Sequence, residues 1–227
     1  MTEGLIFDYG GTLDTGGCHW GRFIWHAYER QHVPVDEASF RDAYVFAERT
    51  LGKNPIIQSS YTFRQTLAVK LRIQLEQLGG NALEYHAALL DDLYGRVQQE
   101  TRKSIEVLRQ LSDSHKMVLV SNFYGNIGVV LSEFGFDGLF QHIVESAVVG
   151  VRKPDPRIFT LGVEALGMQP ADVTVIGDSI DKDIVPAKKA GCHTVWFKGE
   201  GWNDADPATP AEADSVITDI RQLNNQK

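Results

Sequence analysis

The feature that most constrains this chain is an isolated strand. Gly4-Leu5-Ile6-Phe7 is short and apolar and runs straight into Asp8 and a Gly10-Gly11-Thr12 turn. A lone strand is not stable by itself, yet the next strand-like residues lie beyond Thr101. From Trp20 to about Thr101 the chain reads as helices over Gly21–His32, Glu37–Leu51, Tyr61–Leu78 and Leu83–Gln99. Loops carrying Pro34, Pro55 and Gly79-Gly80 divide them. The third is the clearest: Phe63, Leu67, Leu71 and Leu75 recur at helical spacing, with Arg64, Lys70, Arg72 and Glu76 on the other side.

Beyond Thr101 the pattern becomes a strand–helix alternation. Strands are predicted at Met117–Ser121, His142–Glu145, Val173–Gly177, His193–Phe197 and Ser215–Thr218. Helices are predicted near Ile127–Phe134, Pro156–Leu166 and Ile184–Ala190, with a short one at the C-terminus. This alternation implies a doubly wound α/β fold with a parallel sheet. The isolated first strand must join that sheet, so the helical block is an insertion. The core is then residues 1–15 and 102–227, and the insertion residues 16–101. Glu200–Asp214, rich in Asp, Ala and Pro, reads as a surface loop.

The net charge of −8 and pI of about 5.3 argue against a nucleic-acid or anionic-membrane partner. No apolar run is long enough to span a bilayer. The chain shows no basic segment followed by an apolar signal run, and its Cys18 and Cys192 have no metal-type spacing. The expectation is a cytoplasmic protein with reduced thiols.

Chemistry-bearing residues cluster where predicted strands end. Asp8 follows the first strand, in the crevice where open α/β sheets bind ligands. An aspartate there can serve as a covalent nucleophile. Ser121-Asn122 closes the second strand, and a hydroxyl with following backbone N–H groups suits a phosphate. Lys153 precedes Pro154, which holds it extended, and is a point charge delivered to a fixed place. Pro156 suits the first turn of the following helix. In Gly177-Asp178-Ser179-Ile180-Asp181-Lys182-Asp183, carboxylates follow another strand. Asp178 with Asp8 is a pair suited to a hard cation, whereas Ser179 or Asp181 would simply cap the next helix.

The order Asp, Ser, Lys, Gly-Asp, each at a strand's carboxyl end, resembles the haloacid dehalogenase superfamily of hydrolases, mostly phosphatases. The resemblance covers the whole chain, with the insertion in the place of a helical cap. It implies Asp8 as nucleophile, and Asp8, the Gly10 carbonyl and Asp178 as Mg²⁺ ligands. Ser121 and Lys153 would bind the transferring phosphoryl group, alongside Gly11, Thr12 and Asn122, with Thr12 holding the first loop. Asp183 would orient a metal-bound water or Lys153. The implied partner is a small phosphorylated metabolite; the oligomeric state is not implied.

Gly10 departs from the family pattern, which places there a second Asp acting as general acid and base. Asp14, His19 and His26 are candidate substitutes; a good leaving group, or binding without rapid turnover, are the other ways out. Haloacid dehalogenases also lack that Asp, but typically carry an aromatic residue there and no Gly-Asp metal motif. Phosphonate hydrolases lack it too and use a cap lysine as a Schiff base, for which Lys53 or Lys70 would serve. Tyr9 is assigned no chemistry; Trp20, Phe23 and Trp25 pack the cap or line the cleft. The connections near Thr15–His19 and Glu100–Lys103 are the expected hinges of cap motion.

Overall fold

A computed structural model of the chain describes residues 4–203 and 208–225. The predicted strands form one sheet: β1 (Gly4–Phe7), β2 (Lys116–Ser121), β3 (His142–Glu145), β4 (Val173–Gly177), β5 (His193–Phe197) and β6 (Ser215–Ile217). Its order is β3-β2-β1-β4-β5-β6, and every pairing is parallel. The isolated strand therefore sits at the centre. Ile6 lies opposite Val118 on one side and Val175 on the other. Strand order reverses between β1 and β4, which makes the carboxyl end of that pair the switch-point crevice.

Alternate residues of β1 feed different layers. Leu5 and Phe7 join the core that includes Met117, Leu119 and Ile176, while Ile6 joins Val118, Val120, Ile158, Phe159 and Val163 on the other face. This period of two is why a run of apolar residues is needed when helices cover both faces.

Between β1 and β2 lie α1 (Trp20–Arg30), α2 (Glu37–Lys53), α3 (Phe63–Leu78) and α4 (His86–Ser112), the last running past the expected end of the insertion at residue 101. Asp36 caps α2 by accepting the Ser39 N–H, and Thr62 with Gln65 forms a capping box on α3. Phe63, Leu67, Leu71 and Leu75 are all buried, as their spacing predicts, but Lys70 is not on the solvent side: it is only 12% exposed. The insertion's apolar residues are continuous with the sheet's core, from Phe7 and Leu13 through Ile24 and Phe40 to Leu71 and Leu93.

Several local expectations are corrected. The fourth helix runs on from His86 to Ser112, unbroken through Glu100–Lys103, so the second expected hinge is the middle of a helix. A short helix precedes it (Ala82–Tyr85), and two more follow the sheet's β2: α5 (Ile127–Phe134) and α6 (Ser146–Val149), the latter unforeseen. Pro156 is the N-cap of α7 (Arg157–Leu166) rather than its first helical residue. A π-helical turn (Ile180–Ile184), capped by Ser179, precedes α8 (Val185–Lys189), and a 3₁₀ turn (Ile220–Asn225) stands at the C-terminus. The segment expected as a surface loop begins by docking on the insertion. Arg41 donates to the Trp202 carbonyl and its guanidinium stands 4.3 Å over the Trp202 ring, while His19 N–H bonds to the Glu200 carbonyl. Residues 204–207 of that segment lie outside the described residues. No helix among the described residues is long and apolar enough to cross a membrane.

Candidate active site

The site is assembled from the carboxyl ends of β1, β2 and β4. Asp8 leaves β1 with its N–H still bonded to the Ile176 carbonyl, so the sheet's ladder fixes its backbone. Lys153 lies 4% exposed in the loop between α6 and α7. Its Nζ donates to Asp8 Oδ1 at 2.5 Å and to Asp183 Oδ1 at 2.6 Å. The Lys153–Pro154 peptide is cis. Asn122 is the clamp that places it: Asn122 Oδ1 accepts the Lys153 N–H at 2.9 Å, and its Nδ2 donates to the Lys153 carbonyl at 3.1 Å. Both ends of the Asn122 amide are thereby committed to the backbone, a role that sequence reasoning missed.

Thr12 joins the two halves. Its hydroxyl accepts the Asp178 N–H at 3.1 Å and lies 3.1 Å from Asp178 Oδ1 and 3.4 Å from Asp8 Oδ2. Gly11 has φ +99°, and a Cβ there would fall 2.4 Å from Asp178, so the turn admits only glycine at this approach. Its N–H is committed to Asp14 Oδ1 at 2.7 Å. Gly177 is equally constrained, since a Cβ would meet Asp183 at 2.5 Å. Asp183 in turn accepts the Ser179 N–H. Ser121 is buried at the end of β2 and lines the cavity above these residues. Asp181 is exposed on the π-helical turn.

Carboxylate oxygens of Asp8, Asp178 and Asp183 lie within 4.8 Å of one another. With all three ionised and Lys153 as their buried cation, the cluster would carry two negative charges in excess. Burial, opposed by Lys153 and reinforced by Asp183, pushes the Asp8 carboxyl up to about 6. Burial, then Asp183 and Asp8, holds Asp178 well above the ordinary carboxylate range. Burial would lower Lys153, but Asp183 and Asp8 keep it above the usual lysine value. An oxygen-only donor set with an uncompensated charge of two fits a hard divalent cation such as Mg²⁺.

None of the residues considered as substitutes for the acid missing at Gly10 is free for that task. His26 is at the surface, bridging Glu29 and Glu200 at 2.8 Å each. His19 caps α1, its Nδ1 accepting the Gly21 N–H, and burial drops its pKa to about 4. It is therefore neutral at pH 7. Asp14 is buried and raised to about 7, chiefly by desolvation, but both oxygens accept bonds, from Gly11 N–H and from the Trp20 indole N–H at 3.0 Å. Trp20 itself stands where a side chain at position 10 would point: a Cβ on Gly10 would lie 3.7 Å from its Nε1.

Above the cluster lies a cavity of about 1050 Å³ between sheet and insertion. Tyr44, Glu48 and Lys70 line it from the insertion, and Tyr124 and Lys182 from the core. Glu48 and Lys70 form an ion pair. Neither Glu48 nor the tyrosines were singled out by the sequence; the only signal was a charged residue beside the buried stripe Phe40, Ala43, Tyr44, Ala47 and Leu51 of α2. Tyr9 is buried against Phe123 and Phe136, Trp25 packs on Phe40, and Phe23 on Trp20. Cys18 and Cys192 are both free thiols.

The crevice at the switch point thus gathers a buried Asp8–Lys153–Asp183 chain and the Asp178 carboxylate at the carboxyl ends of β1 and β4. The sequence matches the haloacid dehalogenase-like hydrolase family over residues 2–191, and the chain belongs to that family. It is 38% identical over 87 residues to a glyceraldehyde 3-phosphate phosphatase of Pyrococcus furiosus, a stretch covering 38% of this chain and 36% of that protein. The match thus spans about a third of that relative's length. It is 26% identical over 168 residues to a phosphoglycolate phosphatase of Vibrio vulnificus, covering 74% of this chain and 70% of that one. Among solved structures, the magnesium-bound HAD hydrolase YfnB of Bacillus subtilis matches with a TM-score of 0.60 at 18% identity, covering 98% of this chain and 97% of that one. That last likeness speaks to the fold.

Proposed function

We propose that this protein is a Mg²⁺-dependent phosphatase of small phosphorylated metabolites that works through an aspartyl phosphate on Asp8. The observation that carries this reading is the Asp8–Lys153–Asp183 chain, with Asp178 beside it and, with the carboxylates ionised, a net charge of minus two. Phosphatases among the relatives support it. Asp8, the Gly10 carbonyl and Asp178 would hold Mg²⁺, which when bound supplies Lewis-acid neutralisation of the phosphoryl oxygens. Lys153 sits where it can leave Asp8 ionised yet offset charge on the transferring group, and Ser121 binds a phosphoryl oxygen from the end of β2. Asp183 holds Lys153 in place. The insertion, residues 16–101, acts as the cap that closes over the substrate and excludes water.

Asp8 attacks phosphorus, the P–O bond to the leaving group breaks, and water then cleaves the acyl phosphate to regenerate Asp8. With glycine at position 10 the departing oxygen receives no side-chain proton. The site is therefore fastest on leaving groups that depart as stable anions, acyl phosphates above alkyl esters. A Schiff-base role for Lys70 is opposed by its ion pair with Glu48, which occupies the side-chain nitrogen. The retained Gly177-Asp178 motif likewise weighs against a metal-free dehalogenase.

The test is phosphate release, with Mg²⁺, from acetyl phosphate and an alkyl sugar phosphate in parallel. Asp8→Asn is expected to be silent on both while keeping its fold by circular dichroism. Undiminished turnover by Asp8→Asn would remove Asp8 as the nucleophile.

A further inference from the structure

The ceiling of the cavity carries an ion pair that the chemistry at Asp8 does not use. Tyr44 and Glu48 stand one turn apart on α2, and Lys70 reaches Glu48 from α3. The ammonium of Lys70 lies 5.2 Å from the Tyr44 ring centre and 5.4 Å from that of Trp20. Tyr44 and Tyr124, the latter from the core loop after β2, line the same cavity, and burial followed by the charge of Glu48 holds both phenols above their usual range. Burial works to raise Glu48, but Lys70 outweighs it and keeps the carboxylate ionised. The Glu48 side chain is still 35% exposed, and it lines the cavity.

The charge balance of this ceiling is the informative quantity. Lys70 is the half-buried cation that the insertion presents to the cavity, and Glu48 cancels it. A carboxylate-bearing leaving group would meet Glu48 as well as Lys70, and an ammonium would meet Lys70 as well as Glu48. An uncharged hydroxylated group meets acceptors on Glu48, donors on Lys70 and Tyr124, and aromatic faces on Trp20, Tyr44 and Trp202. Hydroxyls paired to charged groups form the stronger class of hydrogen bond. Lys53, Arg152 and Lys182 also line the cavity but are exposed, where solvent and salt screen them. They favour arrival of a phosphate rather than selection of what it is attached to. The cavity, at about 1050 Å³, is also far larger than a two-carbon leaving group requires.

We propose that Glu48 and Lys70, with Tyr44 and Tyr124, form the subsite for the leaving group, and that it selects an uncharged, polyhydroxylated one of the sugar or polyol class. This rests on the phosphatase reading of Asp8, and the experiment separates the two. Glucose 6-phosphate, phosphoglycolate and O-phosphoethanolamine are all primary alkyl esters, so the departing oxygen is alike and the charge of the leaving group is what differs. Their kcat/KM values are compared in the wild type, Glu48→Gln and Lys70→Met, and their affinities are measured by calorimetry on Asp8→Asn with Mg²⁺.

The wild type is expected to favour glucose 6-phosphate at least tenfold over either charged ester. Glu48→Gln uncovers the Lys70 charge and shifts the preference tenfold or more toward phosphoglycolate. Lys70→Met uncovers Glu48 and shifts it toward O-phosphoethanolamine. Opposite shifts are what a merely structural ion pair would not produce. A wild type that prefers a charged ester, or variants whose preferences move together or not at all, would overturn the subsite. If acetyl phosphate and all three esters stay intact, the phosphatase reading fails. The subsite is then judged on the order of affinities in Asp8→Asn alone, where tighter binding of a charged ester would overturn it.

Discussion

Lys153 is the sole cation inside a cluster of three carboxylates among the described residues, and replacing it with methionine isolates what it does. The side chain is 2% exposed, and its partners Asp8 and Asp183 are 9% and 2% exposed, so solvent screens little of the interaction. Removing one partner of such a buried arrangement costs about 3–5 kcal/mol, because the remaining charges stay buried without compensation. For a chain of this size that corresponds to a fall in Tm of about 6–20 °C. With the carboxylates ionised, the cluster's charge passes from minus two to minus three, so the same substitution should tighten Mg²⁺ binding while it weakens the metal-free fold.

The assay is thermal unfolding by circular dichroism at pH 8 in chelator, then with Mg²⁺. Lys153→Met should show the large loss in chelator and a larger Mg²⁺-induced gain than the wild type, since ligand stabilisation grows as Kd falls. The deficit should shrink at pH 5, where protonation replaces the lost cation. Adding Asp183→Asn to Lys153→Met should recover part of the loss, a non-additivity of about 0.5–3 kcal/mol expected for groups in one network. A variant as stable as the wild type in chelator at pH 8, with no dependence on pH, would refute the view that Lys153 neutralises this cluster.

Protons and Mg²⁺ should also compete in the wild type. Asp8 is raised from 3.8 to about 6 in the fold, so the folded state holds its proton more tightly. Its contribution to metal-free stability is full below 3.8 and lost as pH rises through about 6. Thermal scans in chelator should show that decline, and calorimetry should show Mg²⁺ affinity falling below pH 6; a flat profile for both would refute it. Gly10→Asp places its Cβ at an ordinary 3.7 Å contact from Trp20, so the turn accepts a Cβ there without a clash. The substitution should speed alkyl phosphate hydrolysis by about 10²-fold while changing acyl phosphate turnover little; the ratio of the two rates checks it. Gly21→Ala drives a Cβ to 1.9 Å from the Trp202 ring. It should lower stability by about 1–3 kcal/mol in denaturant titrations through overpacking, and an unchanged midpoint would show that the ring moves freely.

The sheet was legible because each of its strands is a short apolar run bounded by turns, and three of the predicted spans, at β3, β4 and β5, match residue for residue. The carboxyl ends then followed, and with them Asp8, Ser121 and Asp178. The end of α4 was misread for a definite reason. Thr101 and Ser104 are buried polar residues on its apolar stripe. Thr101 returns its hydroxyl to the Val97 carbonyl at 2.8 Å, and Ser104 donates to the Leu13 carbonyl at 2.8 Å. Hydrophobic periodicity breaks there although the helix does not. Glu48 was hidden in the same way, and Lys70, nominated only as a Schiff-base lysine, was read as facing away from the apolar stripe; only the packing of α2 on α3 reveals that one satisfies the other.

Position 10 joins these threads. From sequence it was simply a glycine in place of an acid. In the fold, Gly10 leaves room for the Trp20 indole, the first residue of the insertion's first helix, which donates to Asp14. Asp14 grips the Gly11 N–H, and Gly11 stands against Asp178. The turn that carries Asp8 is therefore tied through two hydrogen bonds to the first helix after β1. The chain keeps a hydrogen-bonded connection between α1 and the Asp8 loop, so the geometry of the Asp8–Asp178 cluster depends on where α1 sits.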